Sequence, residues 1–245
     1  MSQTDKTTRA TTIYQKVRAD IIHGAYAPGA KLRIDGIAAK YDVGSNAVRE
    51  ALSRLSSERL VERHEQRGYT VPPVALDDWR VLARTRCFLE GHVLAESMRR
   101  RDDLWEEAIV VAFHRLSRVS RAARETAREE WEDAHRNFHR ALIANCGSPW
   151  LIDFCDILAD HAARYISFSN AFRKAPRDGL AEHEALMKTV LNGTPGEASD
   201  CLTRHYTHTL EVIEDLFERD ELAGGGPSAG LAELTGSIAG LVRKD

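Results

Sequence analysis

Residues 45–55, SNAVREALSRL, form the most informative helical pattern in the N-terminal part of the chain. Their apolar side chains recur at the spacing of one face of an α-helix, at Val48, Ala51, Leu52 and Leu55. Ser45 or Asn46 is expected to cap the start of this helix. The opposite face carries side chains that can meet the base edges and phosphates of DNA, namely Asn46, Arg49, Ser53 and Arg54. The alternative for Arg49 is a surface ion pair with a nearby carboxylate.

Two shorter helical patterns precede this segment. Ile13, Val17 and Ile21 recur at helical spacing, and a turn with Gly24 and residues 28–29 (Pro-Gly) ends that helix. A second short helix is predicted over about 35–40, and it stops near residues 41–44. The order is therefore helix, tight turn, helix.

A hairpin is predicted directly after these helices. Residues 60–63 (LVER) and 68–71 (GYTV) are strand-like, and the tip between them, residues 64–67, is polar and basic. Two prolines then end the segment, so a domain boundary is expected after residue 75. A helix-turn-helix followed by such a hairpin is a winged helix-turn-helix.

Charge is divided unevenly along the chain. The formal net charge is −3, but residues 1–75 carry +4 and the remainder carries −7. This asymmetry suggests a basic module joined to an acidic one. No apolar run approaches the ~18 residues that span a bilayer, the first residues lack a secretory signal, and a cytoplasmic protein is expected. The four cysteines form no CxxC pair, so buried free thiols are expected.

The part beyond the boundary is predicted to be entirely helical. Six helices are expected between residues 77 and 218, with breaks near 101–102, 124, 147–149, 174–179 and 192–196. The sequence thus predicts a mainly α protein, with a winged helix-turn-helix at 1–75 and an antiparallel helical bundle at 76–222. Residues 223–245 are rich in Gly, Ala and Ser and are expected to form a mobile tail.

Histidines interrupt three apolar stripes of the bundle. His135 and His139 lie one turn apart on one helix, so both imidazoles can face one metal ion, and His183 and His205 lie on two further stripes. Together they can form a shell of four nitrogens around zinc, or around nickel or manganese.

Other readings of the histidines remain open. Each can instead be a core histidine satisfied by hydrogen bonds. Because His208 lies close to the same face as His205, the periodicity does not choose between them, and His161 is a further candidate.

Arginines at inward positions suggest an anionic effector. Arg86 lies in the stripe Leu82, Arg86, Leu89, Val93, and a buried guanidinium needs an anionic partner. That partner is either Glu90, one turn along the helix, or the carboxylate of a small organic acid. Arg164, three residues after His161, is a second candidate for binding the acid.

The N-terminal residues resemble a known family. The turn at 28–29, the segment VREAL at 48–52 and the segment RGYTV at 67–71 are similar to the DNA-binding domain of GntR-type regulators, over about residues 10–74. The resemblance implies a homodimer on a near-palindromic operator, with the third helix in the major groove and the wing tip, Arg67 and Gly68, in the minor groove. In the turn this chain has GSNA at 44–47 where the family often has Ser-Arg-x-Pro.

The helical part resembles the FCD sensor domain of the FadR-type subfamily. The motifs Phe138-His139, Ala141-Leu142 and Glu182-His183, with His205, carry the resemblance over about residues 78–218. Members with this motif hold a divalent metal through an Asp and three His, and here the Asp position is His135. The resemblance also favours His205 over His208. The segment 131–150 looks like the branch related to the carbon-starvation-induced regulator, which implies glutarate-like diacids as effectors.

The function expected is a ligand-responsive transcription regulator, a repressor released by a small carboxylate bound near a metal. One alternative is a regulator whose effector is the metal ion itself. A metal-dependent hydrolase is the other alternative, but it is disfavoured because the His135–His139 interval holds no Glu or Asp to serve as general base.

Overall fold

The computed structural model describes residues 3–121, 128–170 and 179–222. Within them the chain forms helices and one small sheet, so the predicted mainly α fold is confirmed. The N-terminal elements are α1 (Gln3–Ile22), β1 (Lys31–Leu32), α2 (Ile34–Tyr41), α3 (Ser45–Ser57), β2 (Glu62–His64) and β3 (Gly68–Thr70). The remaining elements are α4 (Leu76–Arg99), α5 (Asp103–Arg121), α6 (Arg128–Ile143), α7 (Pro149–Asn170), α8 (Leu180–Asn192) and α9 (Pro195–Leu222).

The described residues divide into two compact units. The first contains residues 3–76 together with the ends of α7 and α9, and the second contains the greater part of the six long helices. The limits expected for the two domains, 1–75 and 76–222, stay predictions. The expected tail at 223–245 lies outside the described residues.

The apolar face of α3 is the centre of the first unit. Its residues Val48, Ala51, Leu52 and Leu55 are fully buried and pack in one cluster with Val17 of α1. Full burial of a side chain such as Leu or Val stabilises a fold by about 1.5–3 kcal/mol. The stripe predicted from the sequence is therefore the face that holds α1 and α3 together.

The turn between α2 and α3 corrects one expectation. Asp42 has a positive φ of 50° and ends α2, and Gly44, with extended backbone, occupies the N-cap of α3. Ser45 is thus the first helical residue, and neither Ser45 nor Asn46 is the cap. The reason is that the left-handed Asp42 lets the chain reach the extended N-cap conformation one residue before Ser45.

The wing is shorter than predicted. β2 and β3 pair antiparallel with Arg63 opposite Tyr69; Gln66 in the tip between them has a φ of 60°, and Gly68, the first residue of β3, has a φ of 90°. Residues 60–61 were expected in the first strand. They are instead buried in the cluster beneath α3, because both side chains are apolar and reach that core.

β1 is absent from the strands predicted by sequence pattern. This strand has two residues and pairs antiparallel with β3, with Leu32 opposite Tyr69. Such a strand is too short for an alternating pattern. It completes a sheet in the order β1-β3-β2.

The second unit is a bundle of six helices, as predicted. Its core is one apolar cluster to which α4 to α9 all contribute, with Phe138 and Leu142 of α6 fully buried. The Asp102 carboxylate accepts the Trp105 N–H at 2.8 Å at the start of α5, and Ser148 Oγ accepts the Leu151 N–H at 3.4 Å at the start of α7. The breaks expected near Arg124 and over 174–178 lie outside the described residues.

All four cysteines are free; Cys146 and Cys155 are buried, whereas Cys87 and Cys201 are only half-buried. None of the helices described here has both the length and the apolar character needed to cross a membrane.

The positive φ of Gly68 leads to a stability prediction. A Cβ at Gly68 meets no atom within 4 Å, so Gly68→Ala tests backbone strain alone. We expect this variant to lose about 1–2 kcal/mol of unfolding free energy in urea denaturation, because an L-residue is strained at this φ.

Gly36→Ala is the matched control, since Gly36 is exposed inside α2 without a positive φ. Alanine there should stabilise the protein by about 0.5–1 kcal/mol. Equal changes for the two variants would show that the wing does not hold Gly68 in the left-handed region.

Candidate metal and effector site

Four imidazoles converge inside the second unit. His135 and His139 come from α6, His183 comes from α8 and His205 comes from α9, and one ring nitrogen of each lies within 4.8 Å of those of the others. His139, His183 and His205 are buried and His135 is half-buried. Among the described residues these four form the group suited to hold a metal ion, and His161 and His208 are not part of it.

Nε2 of His139 lies 3.3 Å from Nε2 of His183. Two nitrogens bound to one tetrahedral zinc ion at ~2.0–2.1 Å lie about 3.3–3.4 Å apart, so this pair already has the required spacing. Histidine nitrogens that lie farther apart than this have to move closer together to complete a shell of four nitrogens around one ion.

Outer hydrogen bonds hold two of the imidazoles in a ligand-competent tautomer. Nδ1 of His183 lies 2.5 Å from the carbonyl oxygen of Gly179, and Nδ1 of His205 lies 2.9 Å from Oε2 of Glu182. Both acceptors require a proton on Nδ1, which leaves the Nε2 lone pair for a metal. An outer partner of this kind is usual for histidines that ligate metals in proteins.

The tautomer of His139 follows from the single proton of Tyr206. The Tyr206 hydroxyl donates to Oε2 of Glu90 at 2.5 Å, and it accepts Nη2–H of Arg86 at 2.9 Å. Its oxygen must then also accept from Nδ1 of His139, at 3.3 Å. Nδ1 therefore carries the proton in His139 too, and Nε2 faces His183.

Burial sets the protonation of these groups. It lowers the pKa of His139 well below its usual 6.5, and the nearby His135, His205 and His183 lower it further. Burial also raises the pKa of the Tyr206 phenol well above its usual value, to which the neighbouring Glu90 carboxylate contributes. At neutral pH His139 is thus a neutral imidazole, which is the form that binds metals.

His135 is the half-buried member of the cluster. Its ring stacks on Trp131 of the same helix, with 4.8 Å between ring centres and 17° between planes, and it lies 4.6 Å from the ring of His139. All four positions therefore offer an imidazole nitrogen rather than a carboxylate oxygen. Such a donor set suits zinc or nickel better than magnesium or calcium.

The structure pairs Arg86 with Glu90. Nε of Arg86 donates to Oε1 of Glu90 at 2.7 Å, and both side chains are buried. Burial acts to lower the pKa of Arg86, but the charge of Glu90 outweighs it and the pKa is raised. The partner that the sequence left open is thus on the chain, one helical turn away.

Arg164 binds backbone carbonyl oxygens. It belongs to the first compact unit, where its Nη2 donates to the carbonyl of Pro72 at 2.9 Å. Its part in effector binding stays a prediction. His208 is exposed and shares the Glu182 carboxylate with His205, at 3.0 Å from Oε1.

Two functional side chains were missed by the sequence patterns. The predicted stripe of α9 ran through Ala198, Cys201 and His205, whereas Leu202 and Tyr206 are also buried on that helix. Glu182 was noted only as part of a motif, and its contact with His205 joins two helices. Helical periodicity ranks positions on one helix, so it carries no signal for such a contact.

The outward face of α3 presents the residues proposed for DNA contact. Asn46, Arg49 and Arg54 are exposed, and Ser45 is half-buried. Nη1 of Arg49 donates to Oδ1 of Asn46 at 3.3 Å, and within the described residues Arg49 forms no ion pair. The guanidinium of Arg54 lies 4.1 Å from the ring centre of Tyr14. On the wing, Arg67 and Gly68 are exposed.

Comparison with known proteins agrees with this architecture. Residues 9–71 match the "Bacterial regulatory proteins, gntR family" description, and residues 81–208 match the FCD domain. The chain is 36% identical to the HTH-type transcriptional regulator BphR of Paraburkholderia xenovorans (strain LB400), over 82% of the chain and 83% of the relative. It is 30% identical to the HTH-type transcriptional repressor GlaR of Escherichia coli (strain K12), over 82% of the chain and 94% of the relative.

A solved structure shares the fold. E. coli McbR/YncC superposes with a TM-score of 0.74 at 18% identity, over 85% of this chain and 98% of that one. The chain therefore belongs to the GntR family of bacterial transcription regulators, with an FCD domain after the winged helix-turn-helix. Its relatives and both matching families are regulators, so the expectation that the chain is not an enzyme is confirmed.

The lowered pKa of His139 predicts a pH dependence of stability. Below pH 6.5 the unfolded chain takes up a proton on this imidazole and the folded chain does not, so the unfolding free energy falls with decreasing pH. The slope is up to about 1.4 kcal/mol per pH unit for one group. Urea denaturation of chelator-treated protein at pH 7.5 and 5.5 measures this change in unfolding free energy.

His139→Gln should lose less stability between these two pH values than the wild type, by about 1 kcal/mol. His114→Gln, which replaces an exposed histidine of α5, should behave as the wild type does. An unchanged pH dependence in His139→Gln would contradict the assignment of a neutral buried imidazole.

Proposed function

We propose that the chain is a repressor whose DNA binding is relieved by a small organic acid, bound beside a divalent metal ion in the helical domain. The observation that carries this proposal is the convergence of four imidazoles, three of which have Nδ1 directed to an outer hydrogen-bond partner. A structural core histidine needs no such common orientation of its Nε2 atom.

The metal ligands proposed are His135, His139, His183 and His205. Zinc is the preferred ion, with nickel or manganese as alternatives, and FCD domains are often associated with a metal. A divalent ion supplies a Lewis-acidic position that binds a carboxylate oxygen of the effector. Glu182, Gly179 and Tyr206 hold the imidazoles in place, because each occupies the Nδ1 side of one ring.

Arg86 is the cation proposed to bind the end of the effector that does not contact the metal. Tyr206 lies between its guanidinium and His139, at 2.9 Å and 3.3 Å respectively, so Arg86 and the histidine cluster border the same part of the bundle. Arg164 remains a weaker candidate, since its guanidinium serves backbone carbonyls of the first unit.

The winged helix-turn-helix, proposed at 1–75, binds operator DNA as part of a homodimer. GntR regulators bind operator DNA and often act as dimers. Arg49, flanked by Ser45, Asn46 and Arg54, is proposed to contact base edges and phosphates in the major groove, while Arg67 and Gly68 enter the minor groove. Arg49 suits this role because its charge is not engaged by a carboxylate of the described residues.

Effector binding is proposed to act on the sensor domain at 76–222. A ligand that binds one arrangement of the helices more tightly shifts the population toward it, and in a homodimer this changes the spacing of the two winged helices. Release from DNA is favoured because the relative GlaR, at 30% identity, is named a repressor.

Metal analysis together with thermal stability tests the site. Purified wild-type protein should hold a stoichiometric metal, and small mono- and dicarboxylates should raise its melting temperature. His139→Ala should lose both the metal and the acid-induced shift, because it removes a ligand that is nearly fully buried.

His114→Ala is the control, since it removes an exposed histidine outside the cluster. Retention of metal and acid response by His139→Ala would refute the proposed site. Loss of DNA binding on adding metal alone, with no effect of acids, would instead favour the ion itself as the effector.

Arg49→Ala tests the DNA-binding face. The operator is first obtained by selection from random duplexes, and binding is measured by fluorescence anisotropy. Loss of a base contact from arginine costs about 1–3 kcal/mol, so the dissociation constant should rise by about 5- to 150-fold with relaxed sequence preference. Arg115→Ala, an exposed arginine of α5, should bind as the wild type does; equal affinities for all three proteins would remove Arg49 from the interface.

A further inference from the structure

Arg86 binds Glu90 and Tyr206 through one edge of its guanidinium, the edge with Nε and Nη2. Nε and Nη2 both donate to the Glu90 carboxylate, at 2.7 Å and 3.4 Å, and Nη2 also donates to the Tyr206 hydroxyl at 2.9 Å. The second oxygen of Glu90 accepts from the Tyr206 hydroxyl. The guanidinium further packs over the Tyr206 ring, 4.2 Å from its centre.

One nitrogen of this guanidinium has no acceptor. Within the described residues, Nη1 of Arg86 forms no hydrogen bond, although only 8% of the residue is exposed. Nη1 retains some contact with solvent, so a ligand oxygen can replace water as its acceptor. The site thus offers hydrogen-bond donors at a position where the positive charge is already balanced by Glu90.

This position adjoins the histidine cluster. The Tyr206 oxygen that accepts from Arg86 also contacts Nδ1 of His139, so one side chain separates the guanidinium from a proposed metal ligand. A molecule of a few carbon atoms can therefore reach both groups.

We propose that Glu90 determines the charge of the effector: it neutralises Arg86, so Nη1 receives an uncharged oxygen, and the effector is a monocarboxylate with a hydroxyl or carbonyl group at its other end. The carboxylate is directed to the histidine cluster. This inference rests on the proposed function, and it departs from the diacids that the family resemblance implies.

Displacement of Glu90 by a second effector carboxylate is disfavoured by its surroundings. Glu90 is 3% exposed and its two oxygens are held by Arg86 and Tyr206. A diacid that took over Arg86 would leave this carboxylate buried without a cation, and a diacid that did not would add a second negative charge beside it. Either arrangement penalises the diacid relative to the monocarboxylate.

Matched pairs of acids test the inference in the full-length, metal-loaded protein at pH 7.5. Calorimetric titration compares 4-hydroxybutanoate with succinate, and 5-hydroxypentanoate with glutarate, so that each pair differs only in the group at the far end. The wild type should bind the hydroxy acid of at least one pair more tightly than the diacid.

Glu90→Gln keeps the shape of the side chain and removes its charge. The freed Arg86 should then favour the diacid, and the ratio of the two dissociation constants should shift by about tenfold, because a hydrogen bond to a charged group is stronger by roughly 1–1.5 kcal/mol. Glu96→Gln is the control, since Glu96 lies on the same helix and pairs with Arg99 at the surface. It should keep the wild-type ratio.

The outcomes separate the two proposals. If the wild type binds diacids better, or if Glu90→Gln leaves the ratio unchanged, the inference is overturned while the carboxylate sensor stands. If neither acid of either pair binds the metal-loaded wild type, the sensor itself is overturned, and the inference with it.

Should Glu90→Gln fail to fold, the double variant Arg86→Gln/Glu90→Gln replaces it. This variant is neutral at both positions, so it should still prefer the hydroxy acid. Equal binding of diacid and hydroxy acid by the double variant overturns the inference.

Discussion

The Tyr206 hydroxyl is the contact on which the polar interior of the sensor bundle depends. It has one proton, which goes to Glu90, and its oxygen accepts from Arg86 and from His139. Because burial raises the pKa of this phenol, the proton stays on it and the direction of every neighbouring hydrogen bond is determined. The tautomer of His139, and hence the nitrogen it offers to a metal, follows from that direction.

The bundle tolerates these polar groups because they satisfy one another. Arg86, Glu90 and His139 are all nearly fully buried, and burying an unpaired charge or an unsatisfied polar group costs several kcal/mol. Apolar residues surround them. The Phe138 ring lies 5.5 Å from that of His139, and burial, together with the charge of Glu90, raises the pKa of the Cys155 thiol. Binding of a charged ligand in this cluster therefore requires that the ligand's own charge be balanced.

The DNA-binding domain is organised around one helix, α3, with a buried apolar face and an exposed polar face. Its core is the apolar face of α3, and this face leaves the opposite side of the helix free for charged side chains. The wing relies on backbone geometry instead, since a positive φ at Gln66 and Gly68 closes a hairpin with strands of only three residues each. These features position the contacts and do not by themselves define an operator sequence.

The helices, the winged helix-turn-helix and the four histidines of the cluster could be predicted from the amino-acid sequence, because each of these has a local signal: helical periodicity, turn residues or motif spacing. The pairing of the polar groups became visible in the folded chain alone. The choice of Gly44 over Ser45 as N-cap depended on the backbone of Asp42, and β1 was recognisable only through its partner β3. The contacts of Tyr206 with α4 and α6, and of Glu182 with α9, join helices far apart in the chain, and no pattern along one helix encodes which side chain it meets across the bundle.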